Sequence, residues 1–238
     1  MKVDLVIIGA TAAALGLAKT VQATLKTLIV NKTEMVAYEF VNAFQQPEVY
    51  ARGAFFYKEF RELQAQVLLG TEVTGITPKP EGGYVLELYN TAGFQTIEAS
   101  RVVDTTTDSV PSTAKAKTLN ALIIQQQGKP VPAVEWEGFT LVPEAHSQTY
   151  STAILKLACP AEDTVAIARH RLVEAWLNRP EALGGWKIAA IAFAFEELPA
   201  QVEAKANDGR ILLVSAAYEG PVQSEDAGIQ LGRSLLAC

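Results

Sequence analysis

The sequence of 238 residues is poor in the residues that most often bind metals or form disulfides. It has two cysteines, Cys159 and Cys238, which form no CxxC pair, and two histidines, His146 and His170, which stand apart from each other. A zinc site needs about four such ligands at close spacing, so we expect no metal site. We interpret the cysteines as two free thiols of a protein in a reducing cytoplasm.

The sequence also has no cluster of Lys and Arg and no apolar run long enough to cross a bilayer. Its formal net charge is −6, whereas nucleic acids and acidic membrane surfaces attract basic proteins. We therefore expect no nucleic-acid partner and no membrane association. The apolar N-terminus is interrupted by Asp4, which favours a strand over a signal peptide.

No motif identifies a catalytic residue. The sequence offers no Ser/His/Asp set, no paired-carboxylate motif and no Walker loop. His170 stands between Arg169 and Arg171 on a predicted helix and is interpreted as solvated. His146, in a strand or loop, is a candidate for a substrate pocket, with a position outside any pocket as the alternative. Cys159, before a helix, is a candidate reactive thiol, with an unreactive thiol as the alternative.

The N-terminal third shows a strand–helix–strand pattern. VDLVIIG (3–9) is a continuous apolar run, typical of a parallel strand buried on both faces. An alanine-rich segment (11–24) follows with apolar residues at helical spacing, and TLKTLIVN (24–31) is a second buried strand. This pattern predicts a βαβ unit.

The remaining elements are predicted from periodicity and from Pro and Gly positions. They comprise a helix that carries the aromatic segment FFYKEF (residues 55–60), a three-strand meander, a mixed sheet-and-helix segment, and a final strand and helix. The predicted ranges are 49–63 for the first helix; 66–80, 84–90 and 95–108 for the meander; 117–127, 139–160 and 187–198 for strands; 160–180 for a helix; and 209–221 and 224–238 for the last strand and helix. The FFYKEF segment is interpreted as core or, alternatively, as the lining of a groove or a partner surface.

Four segments resemble the FAD-dependent oxidoreductases with a glutathione-reductase-like FAD/NAD(P)-binding fold. VDLVIIGATAAALGLAK resembles the GxGxxG turn and helix of that family, and TLIVNK resembles its second strand. RVVDTTTDSV resembles its VIDATGD segment, and LLVSAAYEGPVQSEDAGIQLGRSLL resembles its last strand and helix. The resemblance implies an α/β fold, a three-layer Rossmann-like domain with a β-meander (1–111 and 201–238) and an inserted α+β substrate-type lobe (112–200).

The resemblance implies FAD as the cofactor and places it on a defined set of residues. These are Gly9, Ala10, Thr11, Ala12, Ala13, Ala14, Asn31, Lys32, Val73, Thr106, Thr107 and Asp108. Several of them depart from the family pattern. Thr11 and Ala14 replace the second and third glycines, Asn31 replaces the acidic residue that binds ribose, and Thr107 replaces a glycine.

Two hypotheses follow for the function. The first is an FAD-dependent oxidoreductase, in which the flavin supplies the chemistry and the protein supplies orientation. The second is a non-catalytic relative that has lost FAD and binds a small molecule or a protein partner. The second predicts a groove between the two lobes that is filled by side chains from residues 35–60, and an open backbone path at Thr11 would count against it. The Thr11 hydroxyl could also donate to an anion, which keeps the first hypothesis open. The sequence predicts no oligomeric state.

Overall fold

The computed structural model describes residues 1–45, 52–111, 115–126, 130–146, 149–199, 203–206 and 208–237. The chain divides into two compact units. The first comprises residues 1–38, 53–110 and 199–238, and the second comprises residues 39–52 and 111–198. The sequence prediction divides the chain at residues 111 and 200 and includes residues 39–52 in the first domain.

The first unit contains an eight-stranded mixed sheet in the order β12-β13-β6-β1-β2-β3, with β4 and β5 attached through β6. Strands β1, β2, β3 and the end of β6 are parallel, and β4, β5 and the start of β6 form an antiparallel meander. The strands of this unit are β1 (Lys2–Ile8), β2 (Thr27–Val30), β3 (Gln66–Leu68), β4 (Glu72–Pro78), β5 (Tyr84–Asn90), β6 (Gly93–Asp104), β12 (Glu203–Lys205) and β13 (Ile211–Leu213).

The parallel strands are apolar on both faces, so other elements of the unit pack against each face and form layers. On one face, β1 and β2 residues such as Val6, Leu28 and Val30 pack against Leu86 and Leu88 of the meander. The helices of the unit are α1 (Ala12–Val21), α3 (Gly53–Glu62) and α5 (Pro221–Ala237). The observed architecture is therefore the predicted Rossmann-like α/β domain with a β-meander.

Helices α1 and α5 lie close together because glycines stand at their contact. A Cβ at Gly228 would lie 2.0 Å from the Ala13 carbonyl oxygen, and a Cβ at Gly16 would lie 2.0 Å from the Glu225 carbonyl oxygen. Only a residue without a side chain permits this approach. The contact places the N-terminal half of α5 beside the first turn of α1.

The second unit contains a five-stranded antiparallel sheet in the order β10-β7-β9-β8, with β11 paired to β7. Helix α4 packs against it through Ala168, Leu172 and Trp176. Its elements are β7 (Lys115–Gln126), β8 (Phe139–His146), β9 (Tyr150–Cys159), α4 (Val165–Leu177), β10 (Lys187–Ile191) and β11 (Glu196–Pro199), and the short helix α2 (Tyr38–Val41) begins one residue before the segment 39–52. This is the predicted α+β insert.

Three predicted strands are wrong in extent. The strand predicted over 66–80 is two strands, because the chain turns at Gly70 with φ +61°. The strand predicted over 187–198 is also two, β10 and β11. The strand predicted over 209–221 is only β13, which pairs with β6 at two residues before a 3-10 turn at Ser215–Ala217. The helix predicted over 49–63 begins at Gly53, and residues 49–51 lie outside the described residues.

Within the described ranges, no helix is both long and apolar enough to cross a bilayer.

Candidate functional site

The turn between β1 and α1 requires glycine at its first position. Gly9 has φ +94°, which L residues rarely adopt. A Cβ there would lie 2.6 Å from Thr106 Cγ2 and 2.9 Å from Thr105 Oγ1. The predicted tight bend at Gly9 is confirmed, and threonine side chains fill the space around it.

Thr11 is the N-cap of α1, and its hydroxyl is used within the protein. Its Oγ1 accepts a hydrogen bond from the Ala14 N–H at 3.1 Å and donates to Thr105 Oγ1 at 2.7 Å. Thr105 Oγ1 donates in turn to the Ile8 carbonyl at 2.8 Å. This corrects the expectation that the Thr11 hydroxyl is available to an anion, since its only proton is already donated to Thr105.

Asn31 joins the α1 turn to the segment after β2. Its Oδ1 accepts from the Ala10 N–H at 3.0 Å. Its Nδ2 donates to the carbonyl oxygens of Thr33 and Met35, both at 2.9 Å, and contacts Thr33 Oγ1 at 3.0 Å. Asn31 is 1% exposed, so its amide holds protein groups where the family's acidic residue would hold a ribose.

The segment after Asn31 also reaches back to the turn. The Ala37 N–H donates to the Ala10 carbonyl oxygen at 2.7 Å. Ala37 has φ +48°, a left-handed conformation that costs a non-glycine residue free energy. The left-handed conformation of Ala37 allows its N–H to reach the Ala10 carbonyl.

Ser215 completes the arrangement from the C-terminal part of the chain. Its Oγ accepts from the Ala13 N–H at 3.3 Å and lies 2.6 Å from Ser224 Oγ on α5. Its N–H donates to the Thr105 carbonyl at 3.1 Å. Sequence reasoning missed Ser215 and Thr105. The segment LLVSAAYEGP pointed to this part of the site, but no pattern indicated which side chain would reach α1.

Protein groups therefore occupy the N-terminal end of α1. The N–H groups of Ala10, Ala13 and Ala14 donate to Asn31, Ser215 and Thr11. The predicted cofactor residues Ala10, Thr11, Ala12, Ala13 and Ala14 are all at most 1% exposed. A helix N-terminus binds an anion through free N–H groups, and these three N–H groups are not free.

A cavity of about 320 Å³ lies at the carboxyl ends of the parallel strands. It is lined by the ends of β1, β2 and β6, by β4, and by the segment around residue 209. Its lining residues are Ile8, Gly9, Val30, Asn31, Lys32, Tyr38, Thr71, Glu72, Val73, Thr74, Gly75, Ile76, Asp104, Thr106, Asp108, Ser109, Asp208 and Arg210. We call it the strand-end cavity. Such an edge is where open α/β sheets bind ligands.

Six of the predicted cofactor residues line this cavity, and six do not. Gly9, Asn31, Lys32, Val73, Thr106 and Asp108 line it, whereas Ala10, Thr11, Ala12, Ala13, Ala14 and Thr107 do not. Thr107 is half-buried, and its carbonyl accepts from the Val110 N–H at 3.0 Å. The structure thus brings the predicted residues of the strand ends together and separates them from the helix turn.

Acidic groups outnumber basic ones in the strand-end cavity. Four carboxylates line it, those of Glu72, Asp104, Asp108 and Asp208, against the cations of Lys32 and Arg210. Both cations are paired with the acids. Lys32 Nζ lies 2.6 Å from Asp108 Oδ2, and Arg210 Nε lies 2.6 Å from Asp208 Oδ2.

Asp104 is the buried member of this acidic set, at 3% exposed. Its Oδ1 accepts from the N–H and hydroxyl of Thr106, and its Oδ2 accepts from Ser109 Oγ at 2.6 Å. These bonds fix the turn after β6 at the cavity wall. Arg210 Nη1 lies 3.7 Å away and adds a longer-range attraction.

The catalytic candidates do not gather at the cavity. His170 is exposed on α4 and faces Glu174 at 3.3 Å, as predicted for a solvated residue. Cys159 is half-buried, and burial raises the pKa of its thiol. The side chain of His146 and all of Cys238 lie outside the described part of the chain. The described residues contain no cluster of metal-binding side chains.

The aromatic segment of α3 divides between core and surface. Phe56 and Phe60 are buried, at 1% and 4% exposed, whereas Phe55 and Tyr57 are 46% and 45% exposed. The core interpretation holds for Phe56 and Phe60. The interpretation as a groove lining or partner surface stays a prediction for the exposed Phe55 and Tyr57. The tryptophans fit the core interpretation, since Trp176 and Trp186 are buried and Trp136 packs against their cluster.

Comparison with known proteins identifies the fold. No protein-family model and no curated protein matches the sequence. Among solved structures, p-nitrophenol 4-monooxygenase from Pseudomonas putida DLL-E4 aligns with a TM-score of 0.60 at 11% identity, over 99% of this chain and 80% of its own. A geranylgeranyl bacteriochlorophyll reductase-like protein from Thermoplasma acidophilum aligns with a TM-score of 0.65 at 9% identity, over 98% of this chain and 77% of its own.

Aklavinone-11 hydroxylase, solved in a ternary complex with FAD and aklavinone, gives a TM-score of 0.62 at 12% identity, over 99% of this chain and 62% of its own. The chain thus spans about three-fifths to four-fifths of the length of these proteins. At these identities the likeness concerns the fold. FAD is the cofactor that this fold implies, so the site must be tested against it.

The strand-end cavity gathers six of the residues at which the resemblance places FAD, and Asn31, at the position of the ribose-binding residue, is one of them. The helix turn does not suit a pyrophosphate, because three of its N–H groups are bound to Asn31, Thr11 and Ser215. The chain has the fold of FAD-binding oxidoreductases, and its α1 turn is closed by its own side chains.

Proposed function

We propose that this protein is a non-catalytic relative of the FAD-dependent oxidoreductases that binds an uncharged, hydroxyl-rich ligand of nucleoside size in the strand-end cavity. The observation that carries the proposal is the closed α1 turn. A dinucleotide needs the N–H groups of this turn for its pyrophosphate, and here Asn31, Thr11 and Ser215 accept from them. The scattered cysteines suit a reducing cytoplasm, where we place the protein.

The size of the cavity supports a small ligand. Its volume of about 320 Å³ lies at the lower end of the range for small-molecule sites, about 300–1,000 Å³. A nucleoside is of that order, whereas a dinucleotide needs a second binding region. The closed turn offers none in the adjoining segment 10–14.

The charge of the cavity supports a ligand without phosphate. Lys32 and Arg210 are already neutralised by Asp108 and Asp208, which leaves Glu72 and Asp104 as the excess of negative charge. A phosphate brought to this wall meets like charge, which is unfavourable. Carboxylates instead accept hydrogen bonds from ligand hydroxyl groups.

Isothermal titration with adenosine, AMP and FAD tests the proposal. We expect adenosine to bind and AMP to bind at least about tenfold more weakly, because one unfavourable charge contact of about 1.4 kcal/mol gives that factor. An Asp108→Asn variant should reduce the difference in affinity between adenosine and AMP. A Glu174→Gln variant, which removes an exposed carboxylate on α4 of the second unit, should leave it unchanged. Binding of AMP or FAD as tight as that of adenosine would contradict the proposal.

The second candidate function is a flavoprotein oxidoreductase. It is favoured by the gathering of Asn31, Lys32, Val73, Thr106 and Asp108 at one cavity. In this case the cavity holds the adenosine end of FAD, and the flavin supplies redox chemistry when bound. The α1 turn must then exchange its internal hydrogen bonds for the pyrophosphate. Protein that retains flavin after purification supports this candidate over the first.

A further inference from the structure

A second concave surface lies on the first unit, between helix α3 and the segment that contains β3. Its volume is about 520 Å³, and it shares no lining residue with the strand-end cavity. Its walls are Ala54, Tyr57, Lys58 and Arg61 on one side and Val67 and Leu69 on the other, with Val36 and Phe60 also lining it. We call it the α3 groove.

The helix presents one continuous face to this groove. Residues 54, 57, 58 and 61 follow the i, i+3, i+4, i+7 spacing that places side chains on a single helix face. Phe56 and Phe60 anchor α3 in the core. The groove face therefore adjoins the buried face of the helix at Phe60, and the core already holds the helix in place.

The body of the groove is apolar and open to solvent. Leu69 is 37% exposed and Tyr57 is 45% exposed, while Val36 and Phe60 are buried at 3% and 4%. The Tyr57 hydroxyl donates to the Glu34 carbonyl at 3.1 Å, which fixes the ring. Strand β3 is the last in the order of the described sheet, so no described strand covers Val67 from that side.

Two cations, Lys58 and Arg61, line this apolar wall, and nearby carboxylates neutralise them only weakly. Lys58 Nζ lies 3.9 Å from Glu62 in an exposed pair, which is a weak interaction. Arg61 has no hydrogen-bond or ion-pair partner among the residues that the structure describes. A guanidinium group without a carboxylate beside an apolar wall matches a ligand with one anionic end and an apolar body.

We propose that the α3 groove is a binding site for an amphipathic carboxylate, a medium-chain aliphatic or aromatic acid. Its carboxylate pairs with Arg61, and its apolar body lies along Val67, Leu69 and the ring of Tyr57. The volume falls within the range of ligand sites, about 300–1,000 Å³. This site is independent of the proposed function of the strand-end cavity.

Displacement of a fluorescent apolar anion tests the site. The groove is first occupied with 8-anilinonaphthalene-1-sulfonate, and decanoate and the neutral 1-decanol are then titrated as competitors. We expect decanoate to displace the dye. An Arg61→Gln variant should weaken decanoate binding by about tenfold or more, since it removes the charge-assisted hydrogen bond to the carboxylate. 1-Decanol should compete less well than decanoate and should be insensitive to this change.

Two further variants make the result specific to the groove. Arg233→Gln removes an exposed arginine from α5 and should leave decanoate binding unchanged. Ala54→Phe places a ring into the groove from an exposed helix position and should abolish displacement, with an unchanged circular dichroism spectrum. Equal loss in Arg61→Gln and Arg233→Gln would overturn the proposal, as would equal competition by 1-decanol. A second result would also overturn the proposal: a protein that is dimeric, does not bind decanoate, and becomes monomeric in the Ala54→Phe variant. That result would assign the groove to a second copy of the chain.

Discussion

The change Asn31→Asp tests the internal closure of the α1 turn with almost no change in side-chain shape. It restores the acidic residue type that the FAD-binding family carries at this position. In this structure, however, the Asn31 amide donates to two carbonyl oxygens, those of Thr33 and Met35. A carboxylate cannot donate to either, and it faces both at hydrogen-bond distance.

The expected cost follows from those two lost donors. A buried acceptor left without its donor costs about 1–3 kcal/mol, so Asn31→Asp should lower the free energy of unfolding by about 2–6 kcal/mol at pH 7. Burial and the two carbonyl oxygens should raise the pKa of the new carboxyl in the folded state. A raised pKa means that the folded protein favours the protonated form, which can donate to one carbonyl. The destabilisation should therefore be largest at pH 7 and shrink as the pH falls toward about 4, the ordinary pKa of Asp.

Urea unfolding monitored by circular dichroism at pH 7 and pH 4.5 measures this difference. The matched control is Asn90→Asp, whose amide oxygen accepts from the Ala92 N–H and whose Nδ2 contacts the Thr71 hydroxyl at 3.3 Å. A hydroxyl can rotate to donate to a carboxylate, whereas a carbonyl cannot, so the control should cost little. An Asn31→Asp protein as stable as the control at pH 7 would refute the reasoning, because it would mean that the amide donors do not hold the loop.

Three other predictions concern packing, a buried ion pair and thiol reactivity. Gly228→Ala should lower the free energy of unfolding, measured by urea denaturation, by about 1–3 kcal/mol, because its Cβ would meet the α1 backbone. A Cβ at Gly232 would meet only side-chain atoms, so Gly232→Ala should cost less. Glu196→Leu should lower the free energy of unfolding by about 3–5 kcal/mol, because it leaves the Lys156 ammonium group without its carboxylate. A thermal melt that matches the wild type would contradict this. In a Cys238→Ser background, Cys159 should react with a disulfide reagent at pH 8 more slowly in folded than in urea-unfolded protein, because burial raises its pKa and lowers its thiolate fraction.

The sequence predicts the parts of the fold that rest on local pattern. The buried runs of β1 and β2, the alternation of β5 and the alanine-rich α1 all appear at or near the predicted residues. Gly70 marks one of the three strands predicted with the wrong extent, since a single left-handed residue divides a run that periodicity treats as continuous. The hydrophobic pattern shows which face of a helix or strand is apolar, and this is enough to predict how the elements pack in layers.

The closure of the site rests instead on pairs that are distant in the sequence. Ser215 meets the Ala13 N–H across 202 positions, and Thr11 meets Thr105 across 94. A serine after a strand is common, and nothing in its neighbours indicates which N–H it will bind. The departures at Thr11 and Asn31 indicate that the turn is altered, but only the structure shows that these side chains accept from the Ala14 and Ala10 N–H groups.

We propose that the α1 turn keeps the shape of a pyrophosphate site, with its own side chains as the occupants. The absorbance spectrum of the purified protein tests this, before and after incubation with excess FAD and desalting. We expect no flavin bands in either sample. Retained absorption bands of a bound flavin cofactor would contradict the proposal and favour the oxidoreductase.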